Sequence, residues 1–289
     1  MEKYQINKAY AGISGNRILR LNTRQQWVEL PSNPEVYNVD FFSPVLALSG
    51  GMGFGIDFVN IGAKSVYGFN YSYNYIYRSG IGDFSAGIGL NYLSFKLKND
   101  KIRTPDGFFE NDRYDPDDSY LSGLFGKNLS FIRMNYSFLY LLKNIEIGIE
   151  FDKDISGLQK VGISTPDLLR MNFQFQQKLN DLILLRFNLV VFSDFNSFQT
   201  ETGIIAILKN NYITGINLRG YNKNSFDALG LIGGADISRN LKLVYSYDIG
   251  LSGLSEAHNG SHQMTVFFNL GSPERKPKLP NIIFNPRLY

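Results

Sequence analysis

Residues 65–80 read SVYGFNYSYNYIYRSG, and every second position from Tyr67 is aromatic: Tyr67, Phe69, Tyr71, Tyr73, Tyr75 and Tyr77. Between them stand Gly68, Asn70, Ser72 and Asn74, followed by Ile76 and Arg78. A period of two belongs to a β-strand, whose alternate side chains leave on opposite faces. One face is then a run of rings that water solvates poorly. The other is too polar for a core. Two environments accept such a strand: one half-buried sheet of a soluble sandwich, or a membrane barrel with lipid outside and a wet lumen inside.

The composition of the 289 residues narrows the choice. Aromatic residues make up 15% of the chain and charged residues 19%, the latter below the usual quarter. There is no cysteine, hence no disulfide framework and no thiol nucleophile. A net charge of +3 is too small to argue for nucleic acid. No apolar run reaches the roughly 18 residues of a membrane helix. The start, MEKYQINKAYAG, lacks an apolar signal core, and the expectation is that an export signal preceded it.

The same alternation recurs along the chain. It predicts strands over 17–27, 35–47, 50–60, 64–78, 83–97, 129–141, 144–152, 169–178, 182–192, 198–208, 212–220, 227–237, 241–250 and 262–270. In 198–208 the two faces are not distinguishable, and 227–237 is glycine-rich. Fourteen strands is an even number, as an antiparallel bacterial barrel requires, and most are near the ten residues that cross a bilayer on a tilt. Mid-strand charges favour the barrel: Arg20, Arg24, Arg133, Glu146, Glu150, Arg186 and Arg219 alternate with apolar residues and line a polar lumen. Pairing of these arginines with Asp40, Glu146, Glu150 and Asp248 is preferred to an open anion path. The connections alternate between tight turns and longer loops (28–34, 59–64, 98–128, 153–168, 193–197, 221–226 and 251–261), the asymmetry of outer-membrane barrels with periplasmic turns. Both termini then lie in the periplasm.

The expected layout is an N-terminal periplasmic segment over 1–15 that plugs the lumen or lies beneath it, an all-β antiparallel transmembrane barrel of about fourteen strands over 16–271, and a proline-rich tail over 272–289. The tail carries Arg275, Lys276, Lys278 and Arg287 and suits a periplasmic partner.

Signals for chemistry are sparse. Loop 98–128 holds Asp106, Glu110, Asp112, Asp115, Asp117 and Asp118, a density of oxygen ligands that can hold Ca²⁺, although the spacing matches no EF-hand and Arg103 and Arg113 dilute the charge. A solvated external loop is the preferred reading, with Asp106, Phe108, Phe109, Asp112, Arg113, Tyr114 and Asp115 as candidate partner contacts. His258 and His262 flank a Gly/Ser loop rather than a helix face, so no metal site is expected there. With only two histidines, no Ser/His/Asp arrangement stands out, and a non-catalytic protein without cofactor is expected. The alternating glycines of Gly50–Gly55 are small lumen-facing positions, or allow tight strand packing, and do not form a phosphate loop.

Five short stretches resemble one family. Asn7-Lys8-Ala9-Tyr10-Ala11-Gly12 resembles an Asn-Pro-Ala-Tyr-Ala-Gly start, and Arg24-Gln25-Gln26-Trp27 an Arg-x-Gln-Trp ending a first strand. Gly162-Ile163-Ser164 with Leu168-Leu169 is similar to a Gly-Leu-Ser…Leu-Leu stretch. Tyr245-Ser246-Tyr247-Asp248 with Gly260-Ser261-His262-Gln263 resembles a Tyr-Ser-Tyr-Asp…Ser-His-Glu signature, and Pro286-Arg287-Leu288-Tyr289 a Pro-Arg-x-aromatic end. The departures are Lys8 for Pro and Gln263 for Glu. The family is the PorP/SprF outer-membrane proteins of type IX secretion, found in Bacteroidota. The resemblance implies a partner of a secreted adhesin, which helps export it or anchor it at the surface, as in gliding motility. The alternatives are a machinery subunit that contacts periplasmic ring or peptidoglycan-binding components, and a passive channel for small or hydrophobic solutes. Loops 98–128, 153–168 and 251–261 are the expected contact surface.

Overall fold

A computed structural model describes residues 3–98, 129–156, 166–221 and 226–273. They form a closed antiparallel barrel of fourteen strands in which each strand pairs with its sequence neighbours. The strands are β1 (Ile18–Gln25), β2 (Glu35–Val45), β3 (Gly50–Ile61), β4 (Lys64–Ser79), β5 (Gly82–Leu97), β6 (Leu129–Leu141) and β7 (Ile145–Asp154). The second half continues with β8 (Leu168–Asn180), β9 (Ile183–Ser193), β10 (Phe198–Leu208), β11 (Tyr212–Tyr221), β12 (Ala228–Ser238), β13 (Leu241–Gly250) and β14 (Ser261–Asn269). β1 closes the wall by pairing with β14 from Ile18↔Asn269 to Gln25↔His262.

The wall is apolar outside and polar inside, the reverse of a soluble domain. On β4, Tyr75 and Tyr77 are more than half exposed while Asn70, Ser72 and Asn74 are buried. On β3 and β5–β6 the pattern repeats, with Ile56 and Phe138 outward and Ser85, Asn135 and Ser137 inward. The outward rings meet across strands: Phe54 and Tyr71 have centroids 5.0 Å apart, Phe58 and Tyr67 5.1 Å, and Phe84 and Tyr140 4.5 Å. Such pairs each add up to about 1 kcal/mol to strand pairing and fix register. A one-residue slip would turn every tyrosine of β4 into the lumen.

One end of the barrel carries short connections, 46–49, 80–81, 142–144, 181–182, 209–211 and 239–240. At 209–211, Lys209 and Asn210 both have positive φ, as a tight primed hairpin turn demands. The other end carries 26–34, 98–128, 155–167, 194–197, 222–227 and 251–260, with one exception. The expected loop 59–64 is instead a two-residue turn at Gly62-Ala63, with Ile61 paired to Lys64. Val59, Asn60 and Ile61 extend β3, and Gly62, at φ 57°, makes the reversal alone.

Candidate functional site

The N-terminal segment sits inside the barrel. Its first turn is the helix α1 (Lys3–Ile6), followed by a 3₁₀ turn over Lys8–Tyr10. Asn7 stops the first and starts the second: its side chain accepts a hydrogen bond from the Ala9 amide at 2.9 Å and donates to the Phe138 carbonyl at 3.0 Å. One amide side chain thus caps the turn and ties it to β6. Of the two expected placements, within the lumen or beneath it, the segment takes the first.

Most residues from Lys3 to Tyr10 find an inward polar partner. Tyr4 stacks on Phe42 at 5.2 Å and shares a 3.0 Å hydroxyl–hydroxyl bond with Ser72. Gln5 donates to Asp40 at 3.1 Å. The Lys8 amide donates to Glu150 at 2.6 Å, and its ammonium lies 4.3 Å from the centre of the Tyr4 ring. The Ala9 carbonyl accepts from Asn74 at 3.1 Å and from Ser85 at 2.8 Å. Tyr10 donates to Glu146 at 2.9 Å and accepts from Asn172 at 3.0 Å. These partners belong to β2 and β4–β8. Ala9, Tyr10 and Leu139 form a small buried apolar cluster beside them.

The alternating glycines of β3 explain how the plug fits. A Cβ on Gly53 would collide with the Tyr4 ring, and one on Gly51 with the Ala11 carbonyl. A Cβ on Gly12, which has φ +70°, would stand 2.8 Å from the Gly51 Cα. Gly51 and Gly53 are thus the floor on which the plug lies, the first under the Ala11 carbonyl and the second under the Tyr4 ring, while Gly55 makes room for the Asn70 and Asp40 side chains.

Most of the lumen charges are paired, three of the pairs with partners other than those expected. Arg20 pairs with Asp40, both almost fully buried. Arg24 meets Asp248 at 2.8 Å and Arg219 reaches the same carboxylate at 3.6 Å. Arg133 pairs with Asp152 at 3.1 Å rather than with a glutamate, and Glu150 takes Arg170. Glu146 takes Lys3 at 2.7 Å. Arg186 departs from the expectation altogether: no ion pair or hydrogen bond is made by it among the described residues, and its Nε is buried without a partner. Sequence reasoning named Glu150 as inward but did not name Arg170 as its cation. The signal was there in the alternation of Arg170 with Leu169 and Met171, and the register sets it opposite Glu150.

A second network joins residues far apart in the chain. Arg24 and Arg219 both donate to the Gln263 side chain, at 3.2 and 3.4 Å, and Gln263 donates to Asn22 at 3.1 Å. The Trp27 amide donates to Ser261 at 3.1 Å, and Tyr245 shares a 2.6 Å bond with His262 Nδ1. His258 accepts from the Gly260 amide at 2.9 Å and faces the Trp27 ring. The two histidines are absorbed in loop and strand anchoring, and no metal-ligating group of three occurs among the described residues. This network seams β1 to β13 and β14 and fastens loop 251–260 to loop 26–34 through the paired Val28 and Asn259–Gly260 backbone.

The loop candidates Asp106, Phe108, Phe109, Asp112, Arg113, Tyr114 and Asp115, with the Ca²⁺ position they define, lie outside the described residues. So do Arg275, Lys276, Lys278 and Arg287 of the tail and much of loop 153–168. What the structure brings together is the plug, its glycine floor and the paired lumen charges.

The family described as "Type IX secretion system membrane protein PorP/SprF" matches residues 1–268, which contain the plug, the barrel and the seam. No curated protein sequence matches the chain. Among solved structures, the toluene transporter TbuX of Ralstonia pickettii is similar with a TM-score of 0.55 at 9% identity over 93% of each chain. The monoaromatic hydrocarbon channel CymD reaches 0.54 at 11% identity over 90% of this chain and 89% of its own. The outer membrane protein Omp33 of Acinetobacter baumannii reaches 0.53 at 6% identity over 88% and 97%. At such identities the likeness is one of fold: all three are outer-membrane barrels.

Proposed function

We propose, from the premise that this chain belongs to the PorP/SprF family of type IX secretion system membrane proteins, that its barrel is a fixed outer-membrane partner which holds a secreted surface protein by its long loops. The observation that supports this reading is the plug. A barrel whose lumen is crossed by bonds from Tyr4, Asn7, Lys8 and Tyr10 to several strands is ill suited to pass a protein. It is well suited to stand rigidly in the membrane and present its rim. The reading puts the tight turns and both termini in the periplasm and the long connections outside, with residues 98–128 as the main contact for an adhesin-like cargo. Catalysis and a resident cofactor have no part in it.

The test is a mild-detergent pull-down from outer membranes with an affinity tag in residues 272–289, followed by mass spectrometry. A large exported adhesin at near-equal amount is expected, and its loss on deletion of 104–118 with the barrel still folded. Retained cargo after that deletion overturns the loop assignment. Recovery of periplasmic ring or peptidoglycan-binding proteins alone would make the chain a machinery subunit. Recovery of neither, together with single-channel conductance, would make it a solute channel.

A further inference from the structure

The plug fills only part of the lumen. Beside it, toward the tight-turn end, lies a cavity of about 860 Å³, within the range of small-molecule sites. Its wall differs from the rest of the barrel interior. Where β1–β8 turn Asn, Ser, Asp and Glu inward, the wall here presents Ile205, Ile207, Ile232, Val244 and Phe267. The register makes room for them. Gly215 lies opposite both Ile205 and Ile232, and Gly234 opposite Val244. A Cβ on Gly215 or on Gly234 would stand 3.1 Å from its aliphatic neighbour's side chain. Large residues on one strand fill the space that glycine leaves on the next, giving an aliphatic stretch within a lining that also carries Asn210, Asn211, Asp236 and Thr265.

Of the cations in the lining, Lys3, Arg20, Arg186, Arg239 and Lys242, Arg186 stands beside the aliphatic stretch. Arg186 lies directly across the β9–β10 pair from Ile205 and lines the same cavity. The nearest carboxylate along the lining, Glu146, is already engaged by Lys3, Tyr10 and Gln174. Arg239 and Lys242 also line the cavity, and only Lys242 has an acidic partner, Asp236 at 3.3 Å. Arg186 feels the charge of Glu146, yet its Nε is buried without a partner and Glu146 is already shared among three donors, so its guanidinium keeps donors for a second carboxylate.

We infer that this cavity binds an amphiphile with an apolar body and a carboxylate head, of the long-chain fatty-acid class. Its chain lies along the isoleucines, and its carboxylate is paired with Arg186. Two parallel N–H···O bonds suit a planar carboxylate to this residue. The site goes beyond the cargo reading and is independent of the external loops. It implies binding beside the plug, not passage through it.

The test uses the full chain in nanodiscs of neutral phosphatidylcholine, with dansylaminoundecanoic acid as fluorescent probe and its neutral amide as control. Saturable binding of the acid above that of empty nanodiscs is expected. Arg186→Leu should weaken it at least tenfold and leave the weaker amide unchanged, and Ile207→Trp should weaken both by filling the cavity. Arg186→Gln serves where the leucine variant loses the heat-shifted mobility of a folded barrel. Absence of saturable binding, equal binding by the variants, or binding that appears only after residues 274–289 are removed would each overturn the assignment; the last would give the cavity to the chain's own tail.

Discussion

The Tyr10 hydroxyl donates to Glu146 at 2.9 Å, joining the plug to β7 across 136 residues of sequence. The same carboxylate receives Lys3, and the same hydroxyl receives Asn172, so one tyrosine links three distant parts of the chain. Tyr10→Phe removes a donor from a partly buried carboxylate and an acceptor from a buried amide. It should lower the unfolding free energy by about 1–3 kcal/mol, read as a shifted urea midpoint by circular dichroism. An unchanged midpoint would mean that the plug contributes nothing to barrel stability.

Deleting residues 1–13 removes the plug but no strand. The barrel should still refold and keep its heat-shifted mobility, and its single-channel conductance in a planar bilayer should rise severalfold over the full chain. Equal conductance before and after would show that other residues close the lumen.

Gly51→Ala places a methyl group against the Ala11 carbonyl, a backbone atom that cannot turn aside. The strand itself tolerates alanine, so the expected outcome is a folded barrel with a displaced N-terminal segment. Limited proteolysis should cleave the segment at least tenfold faster than in the parent protein. Gly233→Ala, on β12 with nothing within 4 Å of its Cβ, is the control for a general effect of losing a glycine.

Arg20 and Asp40 form a buried pair on adjacent strands. Arg20→Met alone leaves the carboxylate without its main cation and should cost about 3–5 kcal/mol. The double variant with Asp40→Leu should recover most of that loss, which a double-mutant cycle in urea measures. Single-variant costs that simply add in the double variant would show that the two side chains act separately.

Asp194 closes the turn 194–197 by accepting from the Asn196 amide at 3.0 Å and the Ser197 amide at 2.7 Å. The Ser197 and Asn196 donors hold its carboxyl below its ordinary value of 3.8. A depressed carboxyl contributes turn stability that is present above the unfolded value and lost as pH falls through the folded one. The amide shifts of Asn196 and Ser197 should therefore titrate below pH 3.8. A midpoint at or above that value contradicts the turn.

Most of the barrel was legible because lipid and lumen impose opposite demands on alternate residues. Tyr67–Tyr77 against Asn70–Asn74 leaves one way to place the strand. The alternation was blind where both faces want the same residue: in β10, Ile204 points to lipid and Ile205 to the cavity, and both are aliphatic. The lumen charges were legible as inward, but pairing follows register across strands, which a single strand does not carry. Hence Arg133 took Asp152, and Arg186 took nothing. The plug was hardest, since Lys3–Tyr10 has no period to read. Its complement was visible all along in Gly51 and Gly53, whose missing side chains are its imprint.

The hydrogen bonds that seat Tyr4, Gln5, Asn7, Lys8, Ala9 and Tyr10 go to strands from β2 to β8, and the seam that completes the wall joins β1 to β14. The plug therefore leans on one half of the wall: the six strands β9–β14 could be taken away and every one of those bonds would keep its partner. The junction that completes the cylinder is free of it. The interior is anchored where the wall is continuous and leaves the closing seam to bear only itself.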